Sequence, residues 1–196
     1  MSSRDHILSR IEANKPEALP LPKIDLSLFN EGLDLVKEFT KKVEVVGGNV
    51  IETTTNDAVI SQIEGLFPDA KVKFSALENS AAFNTVDLSK IKKPQDLEDL
   101  DILIIESDLA VAENGSVWVT DKQLPMRVLP FITKHLVIVV SRENILPYMH
   151  QAYEKISAGG ENDYGVFIAG PSKTADIEQS LVIGAHGALS LTLFLK

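Results

Sequence analysis

Ile7, Leu8 and Ile11 recur at helical spacing, and the pattern then stops at Lys15–Pro22, which holds Pro16, Pro20 and Pro22. A short helix and an extended arm are predicted, because proline removes a backbone donor and clashes inside a helix. Val36, Phe39, Val43 and Val46 form the next apolar face, and Gly47-Gly48 can supply the left-handed turn that ends it. Residues 49–53 read as a strand. Asn56 is placed to cap a second helix whose Val59, Ile63, Leu66 and Phe67 share a face, with Pro68 where it should stop. Residues 71–74 read as another strand. The unbroken apolar run in residues 101–106 is that of a strand covered on both faces, the candidate for the centre of a sheet.

The second half predicts strands at 116–120 and 135–140, then a helix carrying Met149, Ala152, Tyr153 and Ile156, with Pro147 near its first turn and Gly159-Gly160 at its end. A strand at 164–169, a helix at 174–183 and a last strand at 189–195 complete the pattern. Strands alternating with helices imply an α/β fold with a largely parallel sheet and helices on both faces. The organisation expected is an N-terminal helix and proline-rich arm over residues 1–24, followed by a single α/β domain over 25–196.

The 196 residues, 44% of them hydrophobic and 24% charged, suit one globular domain that buries roughly 70% of its unfolded surface. The 19 Lys+Arg against 28 Asp+Glu give a net charge of -9, which argues against a broad footprint for nucleic acid or anionic lipid but leaves room for a local anion site. With no cysteine, the chain can hold neither a disulfide, a thiolate-ligated iron–sulfur cluster nor a Cys nucleophile. No stretch approaches the roughly 18 apolar residues of a spanning helix, and the amino end is not a signal peptide. The chain is expected to be cytoplasmic.

Gly170-Pro171-Ser172-Lys173-Thr174-Ala175-Asp176-Ile177-Glu178 lies between a predicted strand and a predicted helix. Ser172 and Thr174 hydroxyls, free N–H groups at a helix start and the Lys173 charge would together suit a small carboxylate or phosphate. Ordinary helix capping accounts for the same residues. Neither a Walker loop nor a dinucleotide fingerprint is present. Farther on, Gly184-Ala185-His186-Gly187 sets an imidazole between glycines, where it can act as acid, base or hydrogen-bond donor, or serve structurally. No metal site is expected, because His6, His135 and His150 form no ligand spacing with it. Glu113, before Asn114-Gly115, sits at a tight turn that can present a nucleophile or base, or a solvated acid. Arg127 can fork onto a substrate carboxylate or form an exposed ion pair.

Taken together, Gly170-Pro171-Ser172, Thr174 to Glu178, Gly184, His186-Gly187 and the apolar terminal strand resemble the lactate-utilization (LUD) domain family, in particular its C-type subunit. Ala110-Val111-Ala112-Glu113, Gly115, Arg127 and Pro130 match the family's other characteristic stretch in the same order. These motifs cover the chain from about Asp101 onward. Ala188, Lys173 and Asn114 depart from the family's usual proline, arginine and threonine. The resemblance implies a fold like the glucosamine-6-phosphate isomerase (NagB), ribose-5-phosphate isomerase (RpiA) and CoA-transferase group. It also implies a part in oxidising L-lactate to pyruvate with partner subunits that carry the iron–sulfur clusters, this chain binding no cofactor itself. Beside what the resemblance implies, the chemistry of the residues themselves suggests that Gly170, Ser172, Lys173, Thr174, Asp176, Arg127 and Gly187 receive a carboxylate and that His186 or Glu113 moves a proton. Two alternatives stand beside it. Glu113-Asn114-Gly115 is also similar to the turn that carries the glutamate of family I CoA-transferases, which would make the chain an independent enzyme on CoA esters or phosphosugars. The fold could equally serve a regulatory binding subunit that performs no chemistry.

Overall fold

The computed structural model describes residues 2–20, 22–25, 29, 32–160, 164–175 and 181–196. The chain divides into two units, Met1–Glu31 and Gly32–Lys196. In the first, α1 (Ser3–Ala13) starts with a reciprocal cap between Ser2 and Asp5 and buries no residue. Its Ile7, Leu8 and Ile11 all face solvent.

The second unit is built on five parallel strands in the order β1-β11-β6-β3-β2: β1 (Asn49–Glu52), β2 (Lys73–Ser75), β3 (Ile102–Ser107), β6 (His135–Val140) and β11 (Ser190–Leu195). Period-two alternation sends neighbouring side chains to opposite faces, so both faces of an interior strand must be apolar. On one face Leu103, Ile105, Leu136, Ile138, Leu191 and Leu193 pack with Phe39 and Val43 of α2 (Leu35–Val45). On the other, Ile102, Ile104, Val137, Val139 and Phe194 pack with Val59 and Ile63 of α3 (Asn56–Leu66). The α/β architecture with a mostly parallel central sheet is therefore as expected. β6 takes the middle position, with the run at 102–107 one strand away but still interior.

A second, four-stranded sheet was not anticipated. It comprises β4 (Ala110–Val111), β5 (Ser116–Thr120), β7 (Ile145–Leu146) and β8 (Gly165–Ile168) in the order β7-β4-β5-β8, with two antiparallel pairings. Val117 and Val119 face the main core, while Val111, Trp118 and Phe167 pack on Ala152 and Ile156 of α5 (Met149–Ala158).

The local signals account for most element ends. Gly48 N donates to Val43 O and Gly47 N to Glu44 O, with Gly47 at φ 89°, so the glycine pair ends α2 in a Schellman turn. For α3, Thr55 rather than Asn56 is the cap: its Oγ accepts from Ala58 N, and its extended backbone places Asn56 already inside the helix. α4 (Leu129–Ile132) is a single turn before β6. No helix among the described residues is long and apolar enough to cross a membrane.

The described residues at both ends of the helix expected over 174–183 are strand, not helix. β9 (Lys173–Ala175) and β10 (Leu181–Ile183) pair antiparallel instead, with Thr174 opposite Val182. The β-branched Thr174, Val182 and Ile183 favour extended backbone. Ser172 anchors the ribbon at its base, its N–H donating to Ala188 O and its carbonyl accepting from Gly184 N, both at 2.9 Å.

Candidate functional site

The amino-terminal ends of the main sheet carry a cleft of about 260 Å³. Its walls come from both sheets: Val166 and Ile168 from β8, Leu136 from β6, and Phe131 from α4. All but Phe131 belong to the main apolar cluster, so the cleft is continuous with the core between the sheets. Gly170, Ser172, His186 and Gly187 line it as well. Four of the candidate residues are thus brought together from stretches separated by a ribbon.

Backbone geometry explains why this happens. Gly170 has φ 73°, and a Cβ there would lie 2.6 Å from Val46 O, so only glycine lets the chain turn this close to the end of α2. The turn delivers Ser172 beside Gly187, where an added Cβ would come within 3.3 Å of Ser172 Oγ. His186 is exposed at the mouth, whereas Leu136 is only 2% exposed at the inner wall. Among the described residues, no Lys, Arg, Asp or Glu lines the cleft. A hydroxyl and an imidazole above an apolar wall can hold a small polar group, and the imidazole can exchange a proton with it.

The remaining candidates lie elsewhere. With no helix starting at Ser172, there is no helix amino terminus to hold an anion. Lys173 carries its Nζ to within 3.4 Å of where a Cβ on Gly47 would stand, at the carboxyl end of α2. That is where a cation complements the helix dipole. Thr174 pairs within the ribbon, and Asp176 lies outside the described residues. Glu113 Oε2 accepts from Met149 N at 2.8 Å and its own N–H donates to Pro147 O, so it caps the start of α5. Asn114 Oδ1 accepts from the N–H and hydroxyl of Ser116, closing the turn. Arg127 lies 3.4 Å from Asp121 and over the Tyr164 ring.

The family model of the LUD domain matches residues 36–195. This chain belongs to the LUD domain family. Lactate utilization protein C 1 of Bacillus mycoides is 27% identical over 210 residues, an alignment that takes in 92% of this LUD domain protein and 89% of that one. Lactate utilization protein C of Geobacillus sp. is 25% identical over 97% of this chain and 78% of its own. The protein of that name in Geobacillus kaustophilus reaches 35% identity, over 47% of this chain and 40% of its own. A crystal structure of a DUF162 family protein from Deinococcus radiodurans superposes with a TM-score of 0.61 at 14% identity, over 83% of this chain and 96% of that one, and shares the fold.

A second cleft in this LUD domain, about 510 Å³, is lined by Glu106 and Asp108 at the carboxyl end of β3 and by Asp121, Lys122 and Gln123. Most of its carboxylates and amides already have partners: Lys196 Nζ lies 3.0 Å from Glu106 and 3.3 Å from Asn56 Oδ1, Gln123 donates to Asp108, and Arg127 lies 3.4 Å from Asp121. Among the described residues no three His, Asp or Glu side chains converge as metal ligands do. The residues that sequence reasoning missed are the apolar walls Phe131, Leu136, Val166 and Ile168. Their pattern is that of ordinary core and carries no separate signal.

Proposed function

We propose that this LUD domain protein is a cytoplasmic, non-cluster subunit or accessory protein in the oxidation of L-lactate to pyruvate, acting with partner subunits that hold iron–sulfur clusters. The observation that carries this reading is the near full-length alignment with Lactate utilization protein C 1. The cysteine-free sequence is in keeping with it, since thiolate-held clusters must then sit on other chains.

In the oxidation, the 2-hydroxyl and the carbon bearing it give up two electrons and two protons. The clusters of the partner subunits are the proposed oxidant. In this chain the proposed contacts are Ser172, donating to the substrate's polar oxygens, and His186, taking the hydroxyl proton. Arg127, Lys173 and Glu113 stand outside the cleft and take no direct part.

The test is anaerobic affinity purification of the tagged chain from its own cells, followed by absorbance spectra and an L-lactate-dependent dye-reduction assay. Iron–sulfur absorbance and dye reduction that both disappear without the tagged chain are expected. Within the purified assembly, Ser172→Ala and His186→Ala should each slow dye reduction at least tenfold. A colourless chain that co-purifies with nothing and supports no reduction sinks the proposal.

A further inference from the structure

We infer that the amino-end cleft takes, beyond lactate, 2-hydroxy or 2-oxo monocarboxylates whose side chain is longer than a methyl group and binds them more tightly, with their polar atoms at Ser172 and His186 and their tails against Leu136, Val166 and Ile168. The inference rests on the proposed role in L-lactate oxidation and extends the range of acids the same site recognises.

Three features carry it. The first is volume. Even at the ~30 Å³ that each molecule of liquid water occupies, the three carbons and three oxygens of lactate leave part of the cleft of about 260 Å³ unfilled. The second is the arrangement of chemistry. His186 stands exposed at the mouth beside Gly187 and Ser172, while the inner wall is formed by Leu136, Val166 and Ile168, which are contiguous with the core. A bound acid therefore keeps its polar end toward solvent and turns its tail inward, where each added methylene removes apolar surface from water on both partners. The third is charge. With no Lys or Arg among the described lining residues, a dianion such as a phosphate ester would find no cation in the cleft wall to pair with, at a large desolvation cost. A monocarboxylate held near the mouth remains partly hydrated and avoids that cost.

The experiment is calorimetric titration of the full chain with L-lactate, L-2-hydroxybutyrate, L-2-hydroxy-4-methylpentanoate and glucose 6-phosphate. Kd should fall about fourfold for each added methylene, and the phosphosugar should not bind. Ser172→Ala should weaken all three acids by a similar factor and leave the chain-length trend intact. Ile168→Trp should remove binding of the branched acid first. Should that variant fold poorly, Ile168→Ala, which deletes tail contacts, should flatten the trend while sparing lactate. Equal Kd values along the series overturn the inference and leave the proposed role in lactate oxidation standing. A clear trend in a protein whose purified assembly reduces no dye with any of the acids supports the cleft assignment and removes the redox role. If no acid binds, and Phe131→Ser instead abolishes co-purification of partner chains, the cleft is a protein-docking groove and the inference is wrong.

Discussion

Glu113 is held as a helix cap, its carboxylate accepting from Met149 N at the start of α5. Glu113→Ala is expected to lower stability by about 1 kcal/mol, the usual cost of a lost cap, and Glu113→Gln to lose clearly less because it keeps an acceptor. Urea unfolding followed by the single tryptophan, Trp118, which packs against Phe167 beside α5, measures both. Gly115 gives a sharper case. At φ 69° its missing Cβ would lie 2.7 Å from Val43 N, so Gly115→Ala combines backbone strain with a clash on α2. A loss of about 1–3 kcal/mol in the same assay is expected, and an unchanged midpoint would contradict the close approach. Of the candidate residues, Ser172 and His186 come to one cleft, and a glycine within two residues of each in the chain allows the close approach. Arg127 and Lys173 were assumed to converge with them, yet each reaches a different neighbour, Asp121 and the end of α2. Sequence spacing records local backbone geometry; it does not record which of several exposed cations meets a given hydroxyl.

At the level of elements, apolar periodicity identified helices without revealing what covers them. Ile63 in α3 is completely buried against the sheet, while Ile7 in α1 is 55% exposed, although both lie on regular apolar stripes. Ile63→Ala should therefore cost about 2–5 kcal/mol. Ile7→Ala should stay within about 0.5 kcal/mol. Thermal or urea unfolding of the two variants side by side tests the contrast; a large effect at Ile7 would mean that the stripe is covered in solution. The misread element is the ribbon of β9 and β10. Residues 174–183 carry acids near one end and apolar residues near the other, which suits a helix locally. Long-range hydrogen bonds of Ser172 to Ala188 and Gly184, together with the pairing of Thr174 with Val182, favour two short strands instead. A strand pairing of this kind is a non-local decision, invisible to a window of a few residues.

For the molecule as a whole, two groups at the amino ends of the central strands link stability to pH. His135 stacks on Phe67 and hydrogen-bonds Ser190 Oγ through Nδ1. Burial lowers its pKa from the ordinary 6.5; the Asp101 carboxylate opposes that shift and the Lys134 ammonium adds to it. Between the folded value and 6.5 the unfolded chain binds the extra proton, so stability is full above 6.5 and falls as pH drops through the folded value. Urea midpoints should decline from pH 8 to pH 5, and His135→Gln should lessen that decline. Asp101 behaves separately. Burial pulls its pKa upward, but hydrogen bonds from Lys134 and from the N–H groups of Val72 and Lys71 outweigh it and hold the carboxyl at about 2 against an ordinary 3.8. Its contribution is complete above 3.8 and disappears as pH falls through about 2, so Asp101→Asn should reduce the loss of stability across that acid window. A wild-type profile flat from pH 8 to 5 would refute the burial of His135.

By itself the sequence determined the α/β class, the runs at 102–107 and 135–140 that fill the interior of the parallel sheet, and the glycine-bounded stretches that hold Ser172 and His186. Those features depend on period, turn chemistry and excluded volume near a residue's own backbone, all of which are local. Only the tertiary structure decided that a second sheet forms, that the last predicted helix is a ribbon, and that Glu113 caps a helix. It also opened the cleft at the amino ends of the strands, away from Arg127 and Lys173. These outcomes turn on which distant segments compete for the same hydrogen bonds and apolar surface, and that competition is resolved only when the whole chain packs.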